Sequence, residues 1–194
     1  MKAVFQQGTS ERTLVLLHGT GGNEQDLLGL GDIIDASANK LGIRGNVLEN
    51  GMPRFFKRLA EGVFDEQDLI LRTKELYEFI QEAALRYDFN PQKMVVIGYS
   101  NGANIAASML FHYSNVFEAA ILHHPMVPLR TIAVASQQTR VFIAAGENDP
   151  LCPAQEAIDL SDLLTAAGAT VTTHWEHNGH QLTRSEVEAA RDWL

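Results

Sequence analysis

Only one cysteine, Cys152, occurs among the 194 residues, so no disulfide can close within the chain, as is usual for a reducing compartment. No apolar run approaches the length that spans a bilayer. The opening residues, MKAVFQQGTSERT, lack the sustained apolar core of a signal peptide, and a cytoplasmic protein without a membrane span is expected. Positive charge is scarce: 15 Lys and Arg stand against 24 Asp and Glu, for a net charge of -9, which argues against a nucleic-acid partner. Internal repeats, charge blocks and low-complexity linkers are absent. Neither the Gly-Lys-Ser/Thr of a nucleotide-binding loop nor a G-x-G-x-x-G fingerprint is spelled anywhere. At 45% hydrophobic residues the chain can fill one sizeable core but not two, so residues 1-194 are expected to form one domain.

What is present is concentrated between Lys93 and His112, KMVVIGYSNGANIAASMLFH. Met94 to Ile97 reads as a buried strand and Ala103 to Leu110 as a helix, with Gly98-Tyr99-Ser100-Asn101-Gly102 between them. A serine at so sharp a turn needs small neighbours two positions away on either side, which the glycines at 98 and 102 supply. The turn lifts the hydroxyl above the sheet and sets it at the positive end of a helix, where developing negative charge is favoured. The bland alternative is a serine that only caps the helix.

The remaining elements alternate. Lys2 to Phe5 reads as an edge strand and Thr13 to Leu17 as a strand buried on both faces. The loop His18-Gly19-Thr20-Gly21-Gly22-Asn23 follows, and then a helix from Glu24 to about Asn39-Gly42 with Asn23 as its cap. Ile43 to Leu48 is a short strand, residues 49-65 a partly ordered excursion, and residues 65 or 66 to 87-90 a long helix ending before Pro91. Strands are expected again at Glu118 to Leu122, Arg140 to Ala145 and Ala169 to Trp175, and helices at Ala154 to Ala167 and Arg184 to Leu194. This alternation predicts an α/β fold, a mostly parallel sheet with helices on both faces and no large lid domain.

A serine hydroxyl needs a base, and the base needs an orienting carboxylate. In such sheets these groups come from loops at the carboxyl ends of strands. Gly146-Glu147-Asn148-Asp149-Pro150 offers Asp149, with Glu147 as its rival. His177-Asn178-Gly179-His180 offers His180, preferred over His177 because Gly179 leaves the backbone free to turn the ring. The order Ser100, Asp149, His180 is that of α/β-hydrolases. Backbone amides of Thr20 and Asn101 are candidates for an oxyanion hole. His174, His177 and His180, three apart, would share a face only on a helix, so no metal site is expected there. His123 and His124, adjacent on a strand, are expected on opposite faces. Phe55, Phe56 and Phe64 either fill the core beneath the 51-65 loop or wall a substrate pocket beside Ser100.

On Leu17-His18-Gly19-Thr20-Gly21-Gly22, Gly98-Tyr99-Ser100-Asn101-Gly102, Gly146-Glu147-Asn148-Asp149-Pro150 and Gly179-His180, the chain resembles the α/β-hydrolase superfamily. Within it the closest likeness is to the phospholipase/carboxylesterase family of small serine esterases. Gly51 to Arg58 is similar to a bacterial carboxylesterase subgroup related to hydroquinone-resistance hydrolases. The resemblance implies Ser100 as nucleophile, His180 as base, Asp149 as its orienter, and Thr20 and Asn101 as the oxyanion hole. It further implies hydrolysis of small acyl or aryl carboxylic esters without cofactor, in a monomer or homodimer. A thioesterase with the same triad, or a noncatalytic ligand-binding homologue, are the alternatives. Acyl-protein thioesterases of the family commonly carry Gln where this chain has Asn101, so their lipidated-protein substrates are not carried over.

Overall fold

The structure, a computed structural model, describes residues 1–194. The chain runs β1 (Lys2–Gln6), β2 (Thr13–Leu17), α1 (Leu28–Ile34), β3 (Asn39–Arg44), β4 (Val47–Glu49), β5 (Met52–Arg54), β6 (Arg58–Ala60), β7 (Val63–Phe64) and α2 (Glu66–Tyr87). It continues as β8 (Met94–Tyr99), α3 (Asn101–His112), β9 (Ala119–His123), β10 (Arg140–Gly146), α4 (Ala154–Ala166), β11 (Thr170–Glu176) and α5 (Arg184–Trp193). Seven strands form one sheet in the order β1-β3-β2-β8-β9-β10-β11. Within this sheet only the β1–β3 pairing is antiparallel. No helix is long and apolar enough to cross a membrane.

All five residues of β2 are buried because both faces of the sheet are covered. Val15 and Leu17 pack into a cluster with Leu69 and Leu76 of α2, Ile105 and Leu110 of α3 and Leu160 of α4. Leu14 and Leu16 pack on the other face with Leu30 and Ile34 of α1 and Val187 and Ala190 of α5. The strand therefore reads as an unbroken apolar run, as a two-sided buried strand must.

Two regions differ from the sequence reading. The helix expected from Glu24 to the 39-42 region is limited to Leu28–Ile34, and Asn23 caps a turn instead, its Oδ1 accepting from the Gln25 amide at 2.9 Å. The polar pair Asn39 and Lys40 belongs to β3. There the Asn39 side chain donates to Thr13 Oγ1 and accepts from Gln7 and Gly8, so tertiary partners outweigh its weak strand propensity. Residues 49-65, expected as a partly ordered excursion, form two short hairpins, β4–β5 and β6–β7. Asn50 and Gly51 both have positive φ, 51° and 79°, which suits a two-residue hairpin turn. These hairpins lie over the carboxyl ends of the central strands, beside the β2–α1 loop: the Gly21 amide donates to Pro53 O at 2.9 Å.

Candidate active site

Strand β8 and helix α3 meet at Ser100, whose φ of 53° and ψ of -112° lie outside the regions a serine ordinarily occupies. The backbone closes so tightly here that a Cβ at Gly98 would sit 2.5 Å from Gly102 O, and one at Gly102 would collide with the Leu17 carbonyl. The turn is held from below by the Ser100 amide donating to His123 O at 2.9 Å. Its result is an Oγ at the mouth of α3, at the bottom of a cleft of about 360 Å³.

His180 Nε2 lies 2.8 Å from Ser100 Oγ, and His180 Nδ1 lies 2.7 Å from Asp149 Oδ2. Asp149 is buried, and its Oδ1 accepts from the Leu151 and Cys152 amides at 2.8 and 3.0 Å. Burial pushes this carboxyl up, but the Cys152 amide, His180 and the Leu151 amide outweigh it and hold the group below its ordinary range. It therefore stays an acceptor for the His180 N–H.

The loops carrying Asp149 and His180 are fastened to each other. Asn148 Nδ2 donates to His177 O at 3.0 Å, and the Gly179 amide donates to Asn148 Oδ1 at 2.9 Å. Tyr99 Oη donates to His180 O at 2.7 Å. The two rivals are elsewhere: Glu147 and His177 are exposed and face each other at 3.3 Å. His174 faces Glu176 at 2.9 Å, so His174, His177 and His180 serve three different carboxylates.

Thr20 and Asn101 both border the cleft. The Thr20 amide donates to no group of the protein. The Asn101 amide opens α3, where the first-turn N–H groups have no acceptor within the helix. Each amide is thus available to an incoming anionic oxygen. The loop bearing Thr20 is braced by His18, which is buried with Nδ1 2.6 Å from Gly19 O while Nε2 accepts from the Gly45 amide at 3.1 Å. Those partners define a neutral ring carrying its proton on Nδ1, in keeping with burial lowering its pKa.

Arg54, at the end of β5, has a buried guanidinium that donates to Thr20 Oγ1 at 2.9 Å and to Phe56 O at 3.2 Å, and it pairs with Glu49 at 3.2 Å. The Asn101 side chain accepts from the Phe55 amide at 2.7 Å. Hairpin, β2–α1 loop and serine turn are thereby tied into one unit. The three phenylalanines separate: Phe55 and Phe56 are fully buried in the core, and only Phe64 borders the cleft. The pocket wall expected of Phe55 and Phe56 is corrected accordingly. Phe55 packs on the His18 ring at 4.8 Å and Phe56 stands edge-on to Phe64 at 5.0 Å, and neither is among the residues that line the cleft. Cys152 also borders the cleft, but burial and then the Asp149 charge push its thiol up to about 12, so it stays protonated and unreactive.

Residues without a functional signal in the sequence also sit here. Strand alternation separated His123 from His124, yet both face Glu186 Oε2, at 3.5 and 3.3 Å. The expectation fails because β9 ends at His123, and His124 takes φ 54°, which frees its side chain from the pleat. No local pattern signals Glu186, which lies 62 positions further along the chain. Arg54 and Tyr99 likewise carry no signal beyond being polar groups inside motifs.

Comparisons with known proteins point to a hydrolase. The model of the Dienelactone hydrolase family matches residues 58–191. Bacillus subtilis (strain 168) MhqD, a hydrolase by name, is 57% identical over 194 residues, covering 100% of this chain and 97% of that protein. The solved carboxylesterase of Bacillus cereus is 61% identical, covers 100% of this chain and 92% of its own, and superposes with a TM-score of 0.97. YahD, solved with malic acid, is 34% identical with a TM-score of 0.93, covering 99% of this chain and 97% of its own.

Proposed function

The chain belongs to the dienelactone hydrolase family of the α/β-hydrolase superfamily, and from that membership we propose that it is a serine carboxylesterase acting through an acyl-enzyme. The observation that carries the reading is the unbroken line from Ser100 Oγ through His180 to Asp149, with contacts of 2.8 and 2.7 Å, beneath a cleft with two unengaged amides. The carboxylesterase name of the Bacillus cereus relative, 61% identical, supports the same chemistry.

Ser100 Oγ attacks the ester carbonyl carbon as its proton passes to His180 Nε2, and Asp149 stabilises the imidazolium so formed. The carbonyl oxygen becomes an oxyanion that accepts from the Thr20 and Asn101 amides. Collapse breaks the carbon–alkoxide bond, and the alcohol leaves with the proton from His180. Water then attacks the acyl-serine, giving its proton to His180, and a second collapse frees the acid and returns the proton to Ser100. No step calls for a cofactor. The size of the cleft, with Phe64, Met126 and Leu151 beside Arg54 and Arg58, supports small acyl or aryl esters as substrates.

A fluorophosphonate probe tests the assignment directly. It should label Ser100 alone, and Ser100→Ala should lose several orders of magnitude in kcat with an unchanged melting temperature. Full turnover in that variant would overturn the reading.

A further inference from the structure

Behind the serine, histidine and aspartate lies a second ionic layer that the acyl-transfer scheme leaves unused. His124 is 1% exposed and Glu186 0%. His124 Nδ1 lies 3.1 Å from Asp149 Oδ2, the same oxygen that His180 Nδ1 approaches at 2.7 Å. On the far side, His124 Nε2 lies 3.3 Å from Glu186 Oε2. His124 Nδ1 thus hydrogen-bonds Asp149, while Nε2 lies within ion-pair distance of Glu186 Oε2 without the alignment of a hydrogen bond, a placement that a positive charge on the ring makes favourable. A neutral ring would instead turn a lone pair on one of the two carboxylates, in a site closed to bulk solvent.

We infer that His124, set between Glu186 and Asp149 as an imidazolium, is a positioning residue that sets how strongly Asp149 supports His180 as a base. The inference rests on reading Ser100, His180 and Asp149 as the triad. The groups facing His124 are Asp149 from the loop after β10, Glu186 from α5, the His180 ring at 5.1 Å and the edge of the Tyr99 ring at 6.1 Å. Cys152 Sγ donates to its carbonyl at 3.5 Å, and His123 shares Glu186 Oε2 at 3.5 Å. Burial opposes a charge on His124, yet Glu186 and Asp149 together raise its pKa. Glu186 is held down to about 2 against its own burial by His123 and His124. The carboxylate is anchored independently, because its Oε1 accepts from the Thr183 amide at 2.6 Å in the capping box of α5.

The consequence for His180 has a definite sign. Two donors compete for Asp149 Oδ2, and a positive charge on one side of that oxygen makes a second one, on His180, less favourable. His124 therefore offsets part of the support that Asp149 gives to a charge on His180.

The test is the pair of substitutions His124→Asn with Glu186→Gln. The introduced Asn Nδ2 takes the place of His Nδ1 as a neutral donor to Asp149, the introduced Gln side-chain oxygen still accepts from the Thr183 amide, and no buried charge is left alone. With p-nitrophenyl acetate, the acid limb of the kcat/KM profile should move up by about half to one pH unit. Protein whose acid limb stays where the parent's is would overturn the inference, whatever its melting temperature. A second measurement is independent of how the double variant folds. Proton–nitrogen spectra of the histidine rings in Ser100→Ala, at about pH 7.5, should show His124 protonated on both nitrogens. A single ring proton there would overturn the inference. Turnover by Ser100→Ala would instead overturn the triad reading, and the ring-proton count would still decide the state of His124.

Discussion

The phenol of Tyr99 donates a 2.7 Å hydrogen bond to the carbonyl of His180. One end of β8 thus presents the serine, while the residue just before it fixes the backbone of the histidine that the serine touches. Nucleophile and base candidates, 80 positions apart, are registered through the end of one strand as well as through the Asn148 contacts between the loops. Tyr99→Phe should keep the fold, since one hydrogen bond of this kind contributes about 1 kcal/mol, but should lower kcat by roughly tenfold as His180 loses its register. Steady-state kinetics alongside a melting curve checks this, and an unchanged kcat would show that Asn148 and Asp149 position the loop unaided.

The two histidines of the last loop separate by substitution. His180→Ala should approach the loss seen in Ser100→Ala, whereas His177→Ala, which removes only an exposed contact to Glu147, should stay within about tenfold of the parent. Chelator should leave the rate unchanged. His124, Asp149 and His180 could offer three ligand atoms within 4.8 Å, but both Nδ1 atoms already point at the aspartate as donors. Loss of activity with EDTA, restored by a divalent ion, would be incompatible with the acyl-serine scheme proposed here.

Much of this architecture was legible beforehand, and the reasons are local. Strands β2, β8 and β10 are runs of apolar residues buried on both faces, and the serine turn is marked by two glycines that the geometry requires. The hairpins of the 49-65 region leave little periodic pattern because their strands are only two or three residues long. Their one local signal is Asn50-Gly51, a pair suited to a two-residue hairpin turn. The pair His124 and Glu186 had no such signal. Its contact depends on the left-handed backbone at His124 and on α5 packing against the sheet, both decided by tertiary structure.

Acid stability should depend on Glu186. A carboxyl whose folded pKa lies below its unfolded value contributes stability that is full above the unfolded value and lost as pH falls through the folded one. For Glu186 that window runs from 4.5 down to about 2. His124, raised in the folded state, works in the opposite sense: its contribution is full below its ordinary value and fades as pH rises through the raised one. Glu186→Gln should therefore melt below the parent at pH 5 to 6, about where both contributions are present. The gap should narrow steadily toward pH 2. A gap of constant size across that range would mean that the carboxylate acts by shape alone.

The aromatic residues of the 51-65 region should divide by position rather than by type. Phe55 and Phe56 have no exposed surface and are surrounded by core side chains, so truncating either to Ala should cost about 3 to 5 kcal/mol through lost burial and the cavity left behind. Neither should change which ester is preferred. Phe64 is only half-buried, stands edge-on to Phe56 at 5.0 Å and borders the cleft. Its strand, β7, is two residues long, so little of the fold depends on it. Phe64→Ala should leave the melting temperature within a few degrees while changing the ratio of kcat/KM between short and long acyl esters by about threefold to thirtyfold, in favour of the longer chain that fills the vacated space. The comparison of all three variants on one ester series makes the distinction sharp. If Phe64→Ala left the ratio untouched, the acyl chain would have to rest on the other apolar residues of the lining, Met126 and Leu151.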